Sequence, residues 1–150
     1  KGITDMSYEW IVPTPKKNQT SCLIKIAAYD SKGNKIENDK SNAPFTIEVI
    51  TVTSPGEGEI LTSGGGPYTI EWTTQGTSRP ENTVILKYSK NGGRNWKKIE
   101  TIKGDDPEQH FWTVPDVPKA KAKCKIMVVL KDADNKTVAK AKSRYFTIEP

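Results

Sequence analysis

The chain has 150 residues, 34% of them hydrophobic and 27% charged, and no apolar run approaches the roughly 18 residues that a membrane-crossing helix requires. One histidine and two cysteines are too few to build a zinc site from a Cys/His cluster, so any catalysis would rest on carboxylates. The 23 basic against 18 acidic residues leave a net charge of +5, enough for weak attraction to anions and well short of the basic footprint of a nucleic-acid-binding domain.

Ten prolines and eleven glycines cut the chain into short pieces rich in Val, Ile, Thr, Tyr and Trp that alternate apolar with polar residues, which is the period of a half-buried strand. No stretch carries the i, i+3, i+4, i+7 stripe of an amphipathic helix behind a capping residue. The reading is all-β. Val52–Pro55 and Glu59–Leu61 form a broken first strand. Gly64 to Pro67 turn the chain into Tyr68–Thr74, where Tyr68, Ile70, Trp72 and Thr74 share a face and Trp72 is the central core residue. Val84–Ser89 alternates again with Val84, Leu86 and Tyr88 inward, and Asn91, Gly92 and Gly93 close a hairpin into Trp96–Ile102. Phe111–Val114 follows, then Lys123–Lys131 with Cys124, Ile126, Val128 and Leu130 inward, a turn over Asp132–Asn135, and a last strand reaching Phe146 and Ile148. Seven short strands at this spacing indicate a two-sheet antiparallel sandwich of the immunoglobulin or fibronectin type III kind.

The chain also repeats itself. At an offset of 102, Lys1 and Gly2 fall on Lys103 and Gly104, Trp10 on Trp112, Val12 and Pro13 on Val114 and Pro115, Cys22 on Cys124, Ile24 on Ile126 and Asp30 on Asp132; Phe45 to Glu48 then match Phe146 to Glu149 at an offset of 101. Residues 50–150 read as one complete module and residues 1–49 as the C-terminal half of a preceding one. Trp10, Cys22, Ile24, Ile26 and Phe45 would then lack the sheet that should cover them. An uncovered face invites association. The expectation is either a homo-oligomer through residues 1–49 or a preceding segment removed by cutting.

The run Ile50 to Pro55, Tyr68 to Trp72, Tyr88 to Trp96, Trp112 to Pro115, Cys124 to Leu130 and Phe146 to Ile148 resembles tandem fibronectin III-like or Ig-like modules of bacterial extracellular and cell-surface proteins. Within it, Ser89 to Trp96 is similar to an Asp-box hairpin, S-x-D-x-G-x-x-W, with Asn91 in place of the Asp and Asn95 where Thr is common. The resemblance implies a secreted or surface location and a role as spacer, adhesive unit or enzyme accessory, with neighbouring modules of the same polypeptide as partners. It implies no chemistry and no cofactor.

Individual residues fit that picture. Each copy holds one cysteine on an inward position, so no disulfide within a module is available; both thiols are expected to be free and buried, with an intermolecular bridge as the alternative. Asp132-Ala133-Asp134-Asn135 and Asp105-Asp106 gather carboxylates as calcium loops do, but the partner turn puts Lys32 where the second carboxylate would lie, which favours an Asx turn over a metal site. No facing carboxylate pair is identifiable for glycoside hydrolysis, and the lone His110 aligns with Tyr8 outside any triad motif, as a surface residue. The chain reads as non-enzymatic. Lys119, Lys121, Lys123 and Lys125 recur every second residue, and eight lysines face only Asp132 and Asp134 between positions 119 and 142. Such a stripe either attracts an anionic polysaccharide or envelope polymer or merely protects an exposed sheet; the other copy has Asn18, Gln19, Thr20 and Ser21 there. Trp10, Trp72 and Trp112 read as core, and Trp96 as either core or a sugar-stacking platform. The leading reading is a structural spacer or presenting module, and its rival is a polysaccharide-binding module that uses the lysine stripe and Trp96.

Overall fold

The computed structural model describes residues 7–15, 17–77 and 79–150; the Lys1–Gly2 end of the repeat alignment lies outside them. Every regular element among the described residues is a strand. Four lie in the first 48 residues: β1 (Gln19–Cys22), β2 (Lys25–Tyr29), β3 (Lys35–Lys40) and β4 (Phe45–Ile47). Nine follow: β5 (Ile50–Ser54), β6 (Ile60–Thr62), β7 (Tyr68–Thr74), β8 (Thr83–Ser89), β9 (Lys97–Lys103), β10 (Gln109–Trp112), β11 (Lys121–Lys131), β12 (Thr137–Lys142) and β13 (Phe146–Glu149).

From residue 49 onward the strands make two sheets that share one core. The smaller has the order β10-β7-β5; in the larger, β9-β8-β11 continues into β13 and β6, with β12 on β11 beside β13. All pairings are antiparallel except β6 with β13, which run parallel. The broken first strand thus serves both sheets: β5 pairs with β7, and β6 with β13. The alternation in the sequence sets which side chains meet. Ile70 and Trp72 of β7, Val84 and Leu86 of β8, and Cys124, Ile126, Val128 and Leu130 of β11 are all buried in a single cluster with Ile50, Trp112, Val138, Phe146 and Ile148. The last strand is two strands rather than one. Between them Ser143, itself buried, uses its hydroxyl to accept the Ile126 N–H at 2.9 Å, while its own N–H donates to the Ile126 carbonyl at 2.9 Å, so the ladder jogs without leaving a buried group unpaired.

A buried tryptophan needs an acceptor for its indole N–H. For Trp72 it is Asp106, whose Oδ1 accepts at 2.8 Å while Oδ2 accepts the Thr74 hydroxyl at 2.7 Å. Glu108 adds to this clamp by accepting the Thr74 N–H at 2.6 Å.

Residues 19–47 reproduce the local geometry of residues 121–149. Cys22 faces Phe45 as Cys124 faces Phe146, Ala27 faces Asn38 as Val129 faces Lys140, and the register shifts fall at Ala28/Tyr29 and Leu130/Lys131 alike. Ser41 bonds Ile24 as Ser143 bonds Ile126. The β2–β3 turn, with Gly33 at φ 83°, matches the β11–β12 turn, with Asn135 at φ 61°, and the first Asp of each accepts a backbone N–H four residues on at 2.8 Å. Side-chain and backbone hydrogen bonds from Asn34 are the main reason that the Asp30 carboxyl lies below its ordinary range.

Burial differs, and two expectations are corrected by it. Trp10 is not core but 43% exposed, and Cys22 is half-buried where Cys124 is fully enclosed. Burial is also the leading cause that raises the Cys124 pKa. Both cysteines are free.

Replacing Asp106 with Ala leaves the buried Trp72 N–H without its partner and should lower unfolding free energy by about 2 kcal/mol. Asp106→Asn keeps an acceptor oxygen and should cost about 1 kcal/mol or less; urea titration of both variants checks the order.

Candidate binding surface

The lysine stripe rises from the outward positions of β11. Lys121, Lys123 and Lys125 alternate with the buried Cys124 and Ile126, as period two requires, whereas Lys119 precedes the strand. Lys123 is exposed and Lys121 half-buried. Lys125 lies over the ring of Tyr145, its Nζ 4.3 Å from the centroid, so part of its charge is directed at an aromatic face.

The hairpin between β8 and β9 brings further cations to the same place. Ser89, 1% exposed, accepts the N–H groups of Asn91 and Gly93 at 3.3 and 2.9 Å and donates its hydroxyl to Asn91 Oδ1 at 2.9 Å; that oxygen also accepts the Asn95 N–H at 2.9 Å. Asn91 therefore supplies the carbonyl acceptor that the turn needs without a negative charge. Gly92 and Gly93 sit at φ 74° and 92°, and a Cβ on Gly93 would come within 3.1 Å of the Trp96 ring. Only glycine allows that approach. The Gly92 N–H donates to the Lys123 carbonyl at 2.7 Å, which pins the hairpin tip against the stripe.

A hollow of about 430 Å³ results, lined by Lys90, Asn91, Gly92, Arg94, Ala120, Lys121, Ala122, Lys123 and Tyr145. Four of these side chains are cationic and none is acidic, so the hollow carries uncompensated positive charge beside one phenol ring. Lys119 and Lys125 of the stripe are not in its lining. Lys90, Arg94 and Tyr145 were missed in the sequence because each is remote from the stripe along the chain; for Lys90 and Arg94 the S-x-N-G-G hairpin was the available signal, since it fixes them on either side of one tight turn. Trp96 stands between its two alternatives: half-buried, against Gly93, with Lys142 Nζ 5.6 Å from its ring centroid.

The carboxylates hold loops. Besides Asp106 and Glu108, Asp132 pairs with Arg79 at 2.7 Å, and Glu59 accepts the Tyr68 hydroxyl at 2.6 Å and the Gly56 N–H at 2.7 Å. Among the described residues no group of three or more His, Cys, Asp or Glu side chains converges as metal ligands would. His110 lies on the edge strand β10 opposite Ile70, half-buried. Comparison with protein-family models and with curated proteins finds no match to the chain.

Burial, and then the hydrogen bond to Glu59, push the Tyr68 phenol from its ordinary 10.0 up to about 12. Because the folded value is raised, the stabilisation is fully present below pH 10 and is lost as pH rises through about 12. Phenolate absorbance should therefore show one late-ionising tyrosine that disappears in Tyr68→Phe and titrates earlier in Glu59→Gln.

Proposed function

We propose that the chain is a non-catalytic structural unit, a spacer or presenting element built from successive β-sandwich modules of the fibronectin III or Ig type, in a secreted or cell-surface bacterial protein. A three-stranded sheet ordered β10-β7-β5 facing one that runs β9-β8-β11 supports that module type. The location rests on the resemblance of the strand motifs.

The observation that carries the spacer reading is the junction. Only Glu48 and Val49 separate β4 from β5, and Val49 and Ile50 are buried in the core of the following sandwich. Asn18, from the segment before β1, brackets this joint: its Oδ1 accepts the Val49 and Ile50 N–H groups at 2.7 and 3.2 Å, and its Nδ2 donates to the Ile50 carbonyl at 2.8 Å. A two-residue connection with three hydrogen bonds across it restrains the angle between the units, which is what a spacer requires and a flexible tether lacks. The engagement of Asp106, Asp132, Glu59 and Glu108 in loops supports the non-catalytic reading.

A second reading has its own observation, the uncompensated cationic hollow. On that reading Lys90, Arg94, Lys121 and Lys123 hold an anionic polysaccharide or envelope polymer, with Tyr145 beside it.

Spin labels at Lys35→Cys and Lys98→Cys, in a Cys22→Ala background, should give a narrow distance distribution that Asn18→Ala broadens; a broad distribution before that change refutes the spacer. Pull-down on anionic polysaccharides at low and high salt tests the rival. Lys121→Ser/Lys123→Ser and Lys90→Ser/Arg94→Ser should each abolish salt-sensitive retention, and Lys119→Ser should leave most of it. Retention unchanged in both double variants would remove the hollow as a site.

A further inference from the structure

Five apolar side chains of the first 48 residues stand in water although their counterparts one repeat later are buried. Ile24, Ile26 and Ile36 are 47%, 68% and 66% exposed, whereas Ile126, Val128 and Val138 are each at 0%. Trp10 and Val12, at 43% and 52%, answer to Trp112 and Val114, at 5% and 2%. Local structure does not account for the difference, because the strand register, bulges, serine brackets and Asx turns coincide in the two copies. What differs is the surroundings. Along β11 runs β8, with Leu86 opposite Val128, Val84 opposite Leu130 and Tyr88 opposite Ile126. Among the described residues β2 pairs with β3 alone. Likewise Gln109–Trp112 form β10 by pairing with β7, but among the described residues their counterparts Ser7 to Trp10 pair with no strand.

The face therefore wants two things at once, an edge strand along β2 and a sheet across the apolar side chains. A second copy of the chain meets one need or the other. Strand-to-strand pairing of two β2 edges would extend the sheet and leave Ile24, Ile26 and Ile36 bare, while face-to-face packing would leave both β2 edges unpaired. The β5, β7 and β8 of a second copy are already spent on its own core.

We propose that the face of residues 7–48 is the acceptor for the N-terminal half of a β-sandwich, a segment of the same polypeptide with the strand pattern of residues 50–102. Its β8-like strand runs antiparallel along Leu23–Tyr29, with the Leu86-equivalent opposite Ile26 and the Val84-equivalent opposite Ala28. Its β7-like strand draws Ser7 to Trp10 into a β10-like edge and closes over Trp10, Ile24, Ile26 and Ile36. The inference deepens the reading of residues 1–49 as half a module and stands apart from the rigid junction, which the spin labels test separately.

The experiment lengthens the intact chain by joining a second copy of residues 50–102 directly before Lys1, the position that Lys103 takes in the complete sandwich. Cys22 is the reporter. Its reaction with an aromatic disulfide should slow by about a hundredfold, towards that of Cys124, and Ile26→Asp should restore the fast reaction in the lengthened chain. As a check independent of that fusion's folding, a synthetic peptide of residues 82–104, the β8–β9 hairpin, is added to the unlengthened chain. Protection of Cys22 in either form supports the assignment. An equally reactive Cys22 in the lengthened chain, together with no effect of the peptide, overturns it. So does a dimer of the unlengthened chain in which Cys22 is already protected, since the second copy would then be the occupant.

Discussion

A strand with one apolar face is finished only when a second layer closes over it, and that requirement governs this molecule. The inward side chains of β11, Cys124, Ile126, Val128 and Leu130, leave water completely because the sheet carrying Ile50, Ile70, Trp72 and Trp112 shares their core. Removing apolar area from water is worth about 25 cal/mol per Å² and is the dominant favourable term in folding. The first 48 residues show what remains without it. Hydrogen bonds of short range, such as the Asx turns at Asp30 and Asp132, form in both copies with nearly the same lengths. Burial, which depends on strands distant in sequence, is found in one copy only.

Polar side chains inside or beside the core serve that two-layer arrangement. Asp106 ties the indole of Trp72, Ser143 carries the ladder across a break, and Ser89 with Asn91 sets the β8–β9 hairpin. Each satisfies groups whose burial would otherwise cost about 1–3 kcal/mol apiece. None of Asp106, Glu108, Asp132 and Glu59 lines the hollow, whose charged side chains are all cationic.

Strand positions were legible because period-two alternation and Gly/Pro punctuation are local signals. Of the positions that alternation places inward, Ile70, Trp72, Val84, Leu86, Cys124, Ile126, Val128 and Leu130 are buried, while Tyr68, Thr74 and Tyr88 are half-buried. The likeness of the two turns was legible as well, with Gly33 and Asn135 both at positive φ. Features that depend on partners far along the chain were not. Nothing near Asp106 in sequence shows that it meets Trp72, 34 residues away. The break at Ser143 is set by its bonds to Ile126 across the ladder rather than by a glycine or proline. The stripe was legible as a stripe, yet its meeting with Lys90 and Arg94 depends on the Gly92 bond to Lys123. Trp10 and Cys22 were read as buried because their counterparts fit a core pattern, and they are not, since the covering layer is what an alternating pattern does not report.

The junction links these observations. Asn18 stands where the later copy has Ala120, at the start of the segment that becomes the lysine stripe. In the first copy that ground binds the following unit through Val49 and Ile50; in the second it carries the exposed Lys119 and Lys123 and the half-buried Lys121. At counterpart positions the two stretches thus differ: Asn18 engages Val49 and Ile50, whereas Ala120 lines the cationic hollow beside Lys121 and Lys123. A lysine in place of Asn18 would offer no acceptor to the Val49 and Ile50 N–H groups and would bring a cation to a closed joint, at the cost of desolvating it.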